Sequence, residues 1–163
     1  MVRHKWFVTL ECLKRGLIWR GLKHDIDKFY PDEFFPYARF FYNPDGSKRQ
    51  IRDKTGYYKP TDTGDLAFDR AWFLHQKRND HHWQWAVYPD DGPPQDSEQG
   101  MRNIIKVLPM SRRAIREMVC DWIGAGKAQN SSDSVGWYEK NKNKLIFHPD
   151  TRTIVEQEIN KLK

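Results

Sequence analysis

Long apolar runs are missing from this chain. No stretch reaches the roughly 18 residues that a membrane span requires, and Arg3, Lys5, Glu11, Lys14 and Arg15 interrupt the N-terminal segment where a signal peptide would carry its apolar core. A soluble, cytoplasmic protein without membrane contact is the expectation. Cysteine is equally scarce: Cys12 and Cys120 are the two present, both inside apolar helical patterns and without CxxC spacing. That excludes a zinc ribbon and favours two reduced core thiols over a disulfide. No internal repeat, low-complexity tract or long Lys/Arg block is found, and alternation of the kind strands need is rare.

What is present is a chain of 163 residues with net charge +6, 14% aromatic residues and seven tryptophans. This length fits a single domain, residues 1–163, able to bury roughly two thirds of its unfolded surface without a structural metal. The positive balance suits anionic ligands without choosing between nucleotides and nucleic acid. Most aromatic rings fall at helical spacing beside other apolar residues, which makes them core rather than base-stacking platforms.

The periodicity predicts an all-α fold: a compact helical bundle with two polar loop insertions. Residues 3–19 read as a helix with Phe7, Leu10, Leu13, Leu17 and Ile18 as its apolar stripe and His4, Val8, Glu11 and Arg15 on a neighbouring face. A helical piece carrying His24 and Asp25 stops before Pro31. Acidic Asp32 and Glu33 open the next helix, and a turn-rich loop, with a hairpin at Asp45-Gly46, covers 43–60. Thr61, Asp62 or Thr63 caps the longest pattern, from Asp65 to about Trp85. A second polar loop spans 89–103, and 104–109 is strand or connector. Ser111 caps a helix running to Ile123, which Gly124 and Gly126 end. Helices at 134–144 and from Pro149 to Lys163 complete the chain, with His148 as a helix boundary.

Three groups carry the chemistry. His24 is followed directly by Asp25, and neighbours on a helix point about 100 degrees apart, so both reach one ion only at a bend. An imidazole beside a carboxylate suits a divalent transition metal. His75, Asn79 and His82 share a helical face, but two turns separate the histidines by roughly 10 Å. That spacing suits two adjacent ions, or one ion and a phosphate, rather than one shared ion. His81 is expected to point away into solvent. Asp121 lies in the apolar string Met118-Val119-Cys120-Asp121-Trp122-Ile123, where a carboxylate needs a partner or an ion.

In this order, His4, His24-Asp25 and Asp121 on successive helices resemble the HD superfamily of metal-dependent phosphohydrolases. The strings HDIDKF, NDHHWQW, EMVCDW and LIFHPDTR also look like a family of small phage and bacterial proteins of unassigned function, which implies the cytoplasm of a bacterial or phage-infected cell. The superfamily resemblance implies a helical core in which His4, His24, Asp25 and Asp121 bind a divalent ion (Mn, Fe, Co, Ni, Zn or Mg). That ion would activate water against a nucleotide or related phosphate ester. His75 and His82 would hold a second ion or a phosphate. Lys28, one turn after His24, is the candidate for the substrate phosphate, and Asp27 or Glu33 for general acid or base.

Two other classes compete. A non-catalytic phage module would keep the helical scaffold and bind an anionic small molecule, a nucleic acid or a host protein. A dedicated nucleic-acid binder would need a contiguous basic stripe or an RNP-like string, and neither is in the sequence.

Overall fold

Gly16 breaks the N-terminal pattern. It adopts a φ of +70°, which a side-chain-bearing residue resists, so the 3–19 segment becomes two helices, α1 (Val2–Lys14) and α2 (Ile18–Lys23). These coordinates are a computed structural model describing residues 1–49, 63–89, 105–131 and 133–163. A short 3-10 turn (Ile26–Phe29) leads into α3 (Pro31–Phe41), which continues through Pro36. Then follow α4 (Leu66–Arg78), a 3-10 turn (Trp83–Ala86), and a small antiparallel pair, β1 (Val87–Pro89) with β2 (Ile105–Val107). The chain finishes with α5 (Arg112–Ala128), α6 (Ser134–Asn141) and α7 (Pro149–Asn160).

The protein is therefore mostly helical, as its periodicity predicts, and among the described residues no helix is long and apolar enough to cross a membrane. The hairpin at Asp45-Gly46 is present, with Tyr42 bridged to Lys48. The rest of that loop, Thr61, Asp62 and most of the second loop lie outside the described residues. The cap of α4 is Asp65, whose carboxylate accepts from the Ala67 and Phe68 amides. Ser111 and His148 cap α5 and α7 as expected. Both cysteines are free and buried.

Three packing units position the site. The main apolar core joins α5, α6 and α7 through Ile115, Met118, Val119, Tyr138, Val155 and Ile159. A second unit packs α3 on α4, where the Phe40 and Phe68 rings stack at 3.7 Å. The third is the contact of α1 with α5, and it corrects the sequence reading twice. The buried face of α1 is Val8, Glu11 and Cys12, while Leu13 and Ile18 are exposed. Gly124 does not end α5; it lies inside the helix against Val8, where a Cβ would come within 2.4 Å of Val8 Cγ2. This close approach draws α1 along α5 and brings the start of one helix beside the middle of the other.

Candidate metal centre

Each ligand reaches the centre for a local reason. His4 is one turn before Val8, and Asp121 one turn before Gly124, so the tight α1–α5 contact sets His4 Nε2 3.1 Å from Asp121 Oδ1. The α2 helix lies on α1 through Gly21, whose carbonyl accepts from Thr9 Oγ1 at 2.9 Å. It ends at His24, where Lys5 Nζ donates to the Leu22 and His24 carbonyls at 2.9 and 2.6 Å. Asp25 then takes the left-handed conformation, φ 53°, one that Asp tolerates better than most residues. That is the bend which lets two consecutive side chains face one point.

The first set of donor atoms is His4 Nε2, His24 Nε2, Asp25 Oδ2 and Asp121 Oδ1. His24 Nε2 lies 3.4 Å from His4 Nε2, 3.4 Å from Asp25 Oδ2 and 3.5 Å from Asp121 Oδ1. The four residues that the resemblance implies as ligands are thus brought together. His4 lies in the first turn of α1 and is only partly exposed.

A second set opens on the other oxygen of the same carboxylate. Asp25 Oδ1 lies 3.3 Å from His75 Nε2 and 3.4 Å from His81 Nε2, and His82 Nε2 lies 2.9 Å from His75 Nε2. One donor atom from each of Asp25, His75, His81 and His82 falls within 4.8 Å of the others. This overturns two expectations. His82 is not two helical turns from His75, because α4 stops at Arg78: the Asn79 side chain donates to the His75 carbonyl at 2.8 Å and the chain leaves the helix there. His81 does not face solvent; the same turn carries it inward, and it is 2% exposed.

Behind the donor atoms stands a row of carboxylates holding the far side of the rings. Glu117 Oε1 accepts from His24 Nδ1 at 2.9 Å and lies 3.4 Å from His81 Nδ1. Arg20 binds the other Glu117 oxygen and reaches on to Asp80. His75 Nδ1 faces Asp27 Oδ2 at 2.8 Å and Glu33 Oε2 at 3.1 Å, with Arg78 on the other Glu33 oxygen at 2.6 Å. Asp27 and Glu33, the candidates for general acid or base, are both buried on the Nδ1 side of His75, and with that ring they form another group able to hold an ion. Lys28 does reach the centre, with Nζ 2.5 Å from Asp25 Oδ2. Lys77 and Arg78 are engaged elsewhere, Lys77 with the Gln84 and Val87 carbonyls and Arg78 with Asp32 and Glu33.

Electrostatics follow from this crowding. Burial works against a charged His24, but Asp25, Asp121 and Glu117 outweigh it and hold the ring up at about 10. His75 is raised to about 9: Asp25 and Asp27 outweigh its burial and the nearby Lys28. His82 is driven well down by burial and by its neighbours His81 and His75. Burial would raise the Asp25 and Asp121 carboxyls, yet the surrounding imidazoles hold both far below the ordinary carboxylate range.

The residues fit divalent cations. Asp25 Oδ1 and His81 Nε2 are buried polar atoms without a hydrogen-bond partner, and both are aimed at the second position. Such atoms are costly unless something satisfies them. The donors are imidazole nitrogens and carboxylate oxygens, and His24, His75 and His81 each have a carboxylate at Nδ1, the arrangement that orients a histidine toward a metal. Several overlapping groups of these side chains could hold an ion.

Sequence reasoning missed Glu117 and His81. Glu117 had a readable signal, since it lies one turn before Asp121 in the same apolar stretch and shares its face. His81 had none, because its direction depends on where α4 ends.

Fold and site together define a helical protein with a buried, carboxylate-backed histidine cluster suited to divalent metal. The chain belongs to the family described as "Family of unknown function (DUF5662)", which matches residues 1–161. No curated protein and no solved structure matches it.

Proposed function

We propose that this protein is a metal-dependent phosphohydrolase with a two-ion centre, acting on a nucleotide or related phosphate ester. One observation carries the reading: Asp25 turns Oδ2 to the Nε2 atoms of His4 and His24 and Oδ1 to those of His75 and His81, as a carboxylate bridging two ions would. The ligand order His4, His24-Asp25 and Asp121, which resembles that of the HD superfamily, supports it.

Position one would be held by His4, His24, Asp25 and Asp121, and position two by Asp25, His75, His81 and His82. Bound divalent ions supply Lewis acidity for a phosphoryl oxygen and lower the pKa of water toward neutrality. The chain's own residues decide where a substrate comes in. Side-chain exposure is 20% at His4 and 16% at Asp121 and Lys28, against 0% at His24 and His75. Position one is therefore reached from the His4 side. Lys28, on that rim, places an ammonium where phosphoryl oxygens would lie, and charge neutralisation with positioning is most of what phosphoryl transfer asks of a protein.

The test is phosphate release from nucleoside mono- and triphosphates and a generic aryl phosphate, with Mn, Fe, Co, Ni, Zn or Mg added singly to chelator-treated protein. Metal-dependent turnover is expected, and Asp25→Ala should abolish it while the far-ultraviolet circular dichroism stays helical. Absence of turnover with every metal and substrate would refute the catalytic reading.

A further inference from the structure

We propose that Glu117 is a positioning residue that couples the two ion positions, so that filling one prepares the other; this rests on the two-ion reading above. Glu117 is the one residue among those described whose carboxylate stands behind a ligand of each position. The same oxygen, Oε1, accepts from His24 Nδ1 at 2.9 Å and faces His81 Nδ1 at 3.4 Å. The two rings lie against each other, centroids 4.5 Å apart. Their Nε2 atoms face different oxygens of one carboxylate, His24 at 3.4 Å from Asp25 Oδ2 and His81 at 3.4 Å from Asp25 Oδ1.

The carboxylate has no freedom to serve one ring at a time. It is 3% exposed, on the interior of α5 one turn before the ligand Asp121, and its second oxygen is taken by Arg20. Arg20 in turn binds Asp80, the residue directly before His81. With an ion in place of the Nε2 proton, Glu117 would hold the Nδ1–H of His24 and face that of His81, leaving both Nε2 atoms to the ions. An ion drawing on His24 would strengthen the bond at Oε1 and so hold the group that also stands behind His81. The backing of His75 is different: Asp27 and Glu33 serve that ring, whose Nε2 points to position two.

The contrast makes the proposal testable by metal binding alone. Chelator-treated protein is titrated with Mn(II), following bound metal by equilibrium dialysis and the spin state by electron paramagnetic resonance. Wild-type protein should take up two equivalents, with spin-coupled pairs appearing below one equivalent. Glu117→Gln should weaken both equivalents about 10- to 100-fold and give an uncoupled six-line signal at low loading. Asp27→Asn should weaken one equivalent and leave the other near its wild-type affinity. A purely structural role would reduce the folded fraction without changing which equivalents weaken in the protein that remains folded. Should Glu117→Gln fail to fold, Arg20→Gln, which frees the second oxygen, is read the same way with a smaller loss on both equivalents. Unchanged binding, or loss confined to one equivalent, overturns the coupling while leaving the two-ion reading intact. Wild-type protein that binds no Mn(II) overturns both.

Discussion

Helix α5 divides two interiors of opposite chemistry. On one side Ala114, Ile115, Met118, Val119 and Ile123 enter the apolar core with α6 and α7. On the other, Glu117, Cys120, Asp121 and Gly124, also spaced by three and four, face α1 and the histidine cluster. The apolar side is held by burial, which is non-directional and indifferent to pH and metal. The cluster is held by directed bonds between groups that are each costly to bury alone. The lesson is a separation of labour within a single helix: one face anchors the fold, and the other collects charge that an ion can satisfy.

The comparison breaks most visibly through Asp25→Ala, which should remove metal-dependent turnover and lower metal uptake by at least ~100-fold, measured by dialysis and phosphate release. Ile115→Ala on the opposite face should do the reverse. It should cost about 2–5 kcal/mol of stability, or roughly 2–4 °C in Tm per kcal/mol for a chain of this size, with metal stoichiometry per folded molecule unchanged. Metal itself sharpens the contrast: at 100-fold excess over Kd, an ion adds about 2.7 kcal/mol to the folded state. That rise in Tm should persist in Ile115→Ala and vanish in Asp25→Ala.

Gly124→Ala attacks the seam between the two sides. The added methyl meets Val8, and overpacking of this kind costs about 1–3 kcal/mol. Displacement of α1 should withdraw His4, so one metal equivalent weakens more than the other. An equal loss of both equivalents would show that the α1 contact serves general stability alone.

The smallest effect lies at the far end of α1, where buried Glu11 accepts from Lys127 at 2.6 Å, Arg15 at 2.7 Å and Lys14 at 2.9 Å. Burial alone would raise its carboxyl, but these three cations push it from 4.5 down to about 2. A carboxyl depressed in the folded state contributes stability that is complete above pH 4.5 and is lost as pH falls through about 2. Glu11→Gln should flatten that acid limb of the Tm profile; an unaltered limb would show that other carboxylates control it.

Much of this was legible in the chain. Ser111 before an apolar run, His148-Pro149 before α7 and the stripe of α5 each announce themselves through local rules of capping and periodicity. His24-Asp25 and the lone carboxylate at Asp121 could be singled out because a titratable group amid apolar neighbours needs a reason. Other features were misread where two local rules competed. The leucine stripe of α1 predicted its inward face, yet the Gly124 contact buries the Val8 face instead. Helical continuity predicted a long α4 and an exposed His81, yet the Asn79 side chain ends that helix by bonding the His75 carbonyl. Asp27 and Glu33 have the chemistry of acid or base, and only the packing of the 3-10 turn and α3 against α4 sets them on the Nδ1 side of His75.

The amino-acid order by itself determined the helical class, the caps, the thiols kept apart from any CxxC pair and the residue types that a divalent ion would want. Only the tertiary structure decided which nitrogen of each ring points inward, that the two oxygens of Asp25 face different histidines, and that Glu117 stands behind both His24 and His81. Local propensity acts through neighbours a few residues away, whereas a ligand set is a relation among side chains on separate helices, and it exists only once those helices have packed.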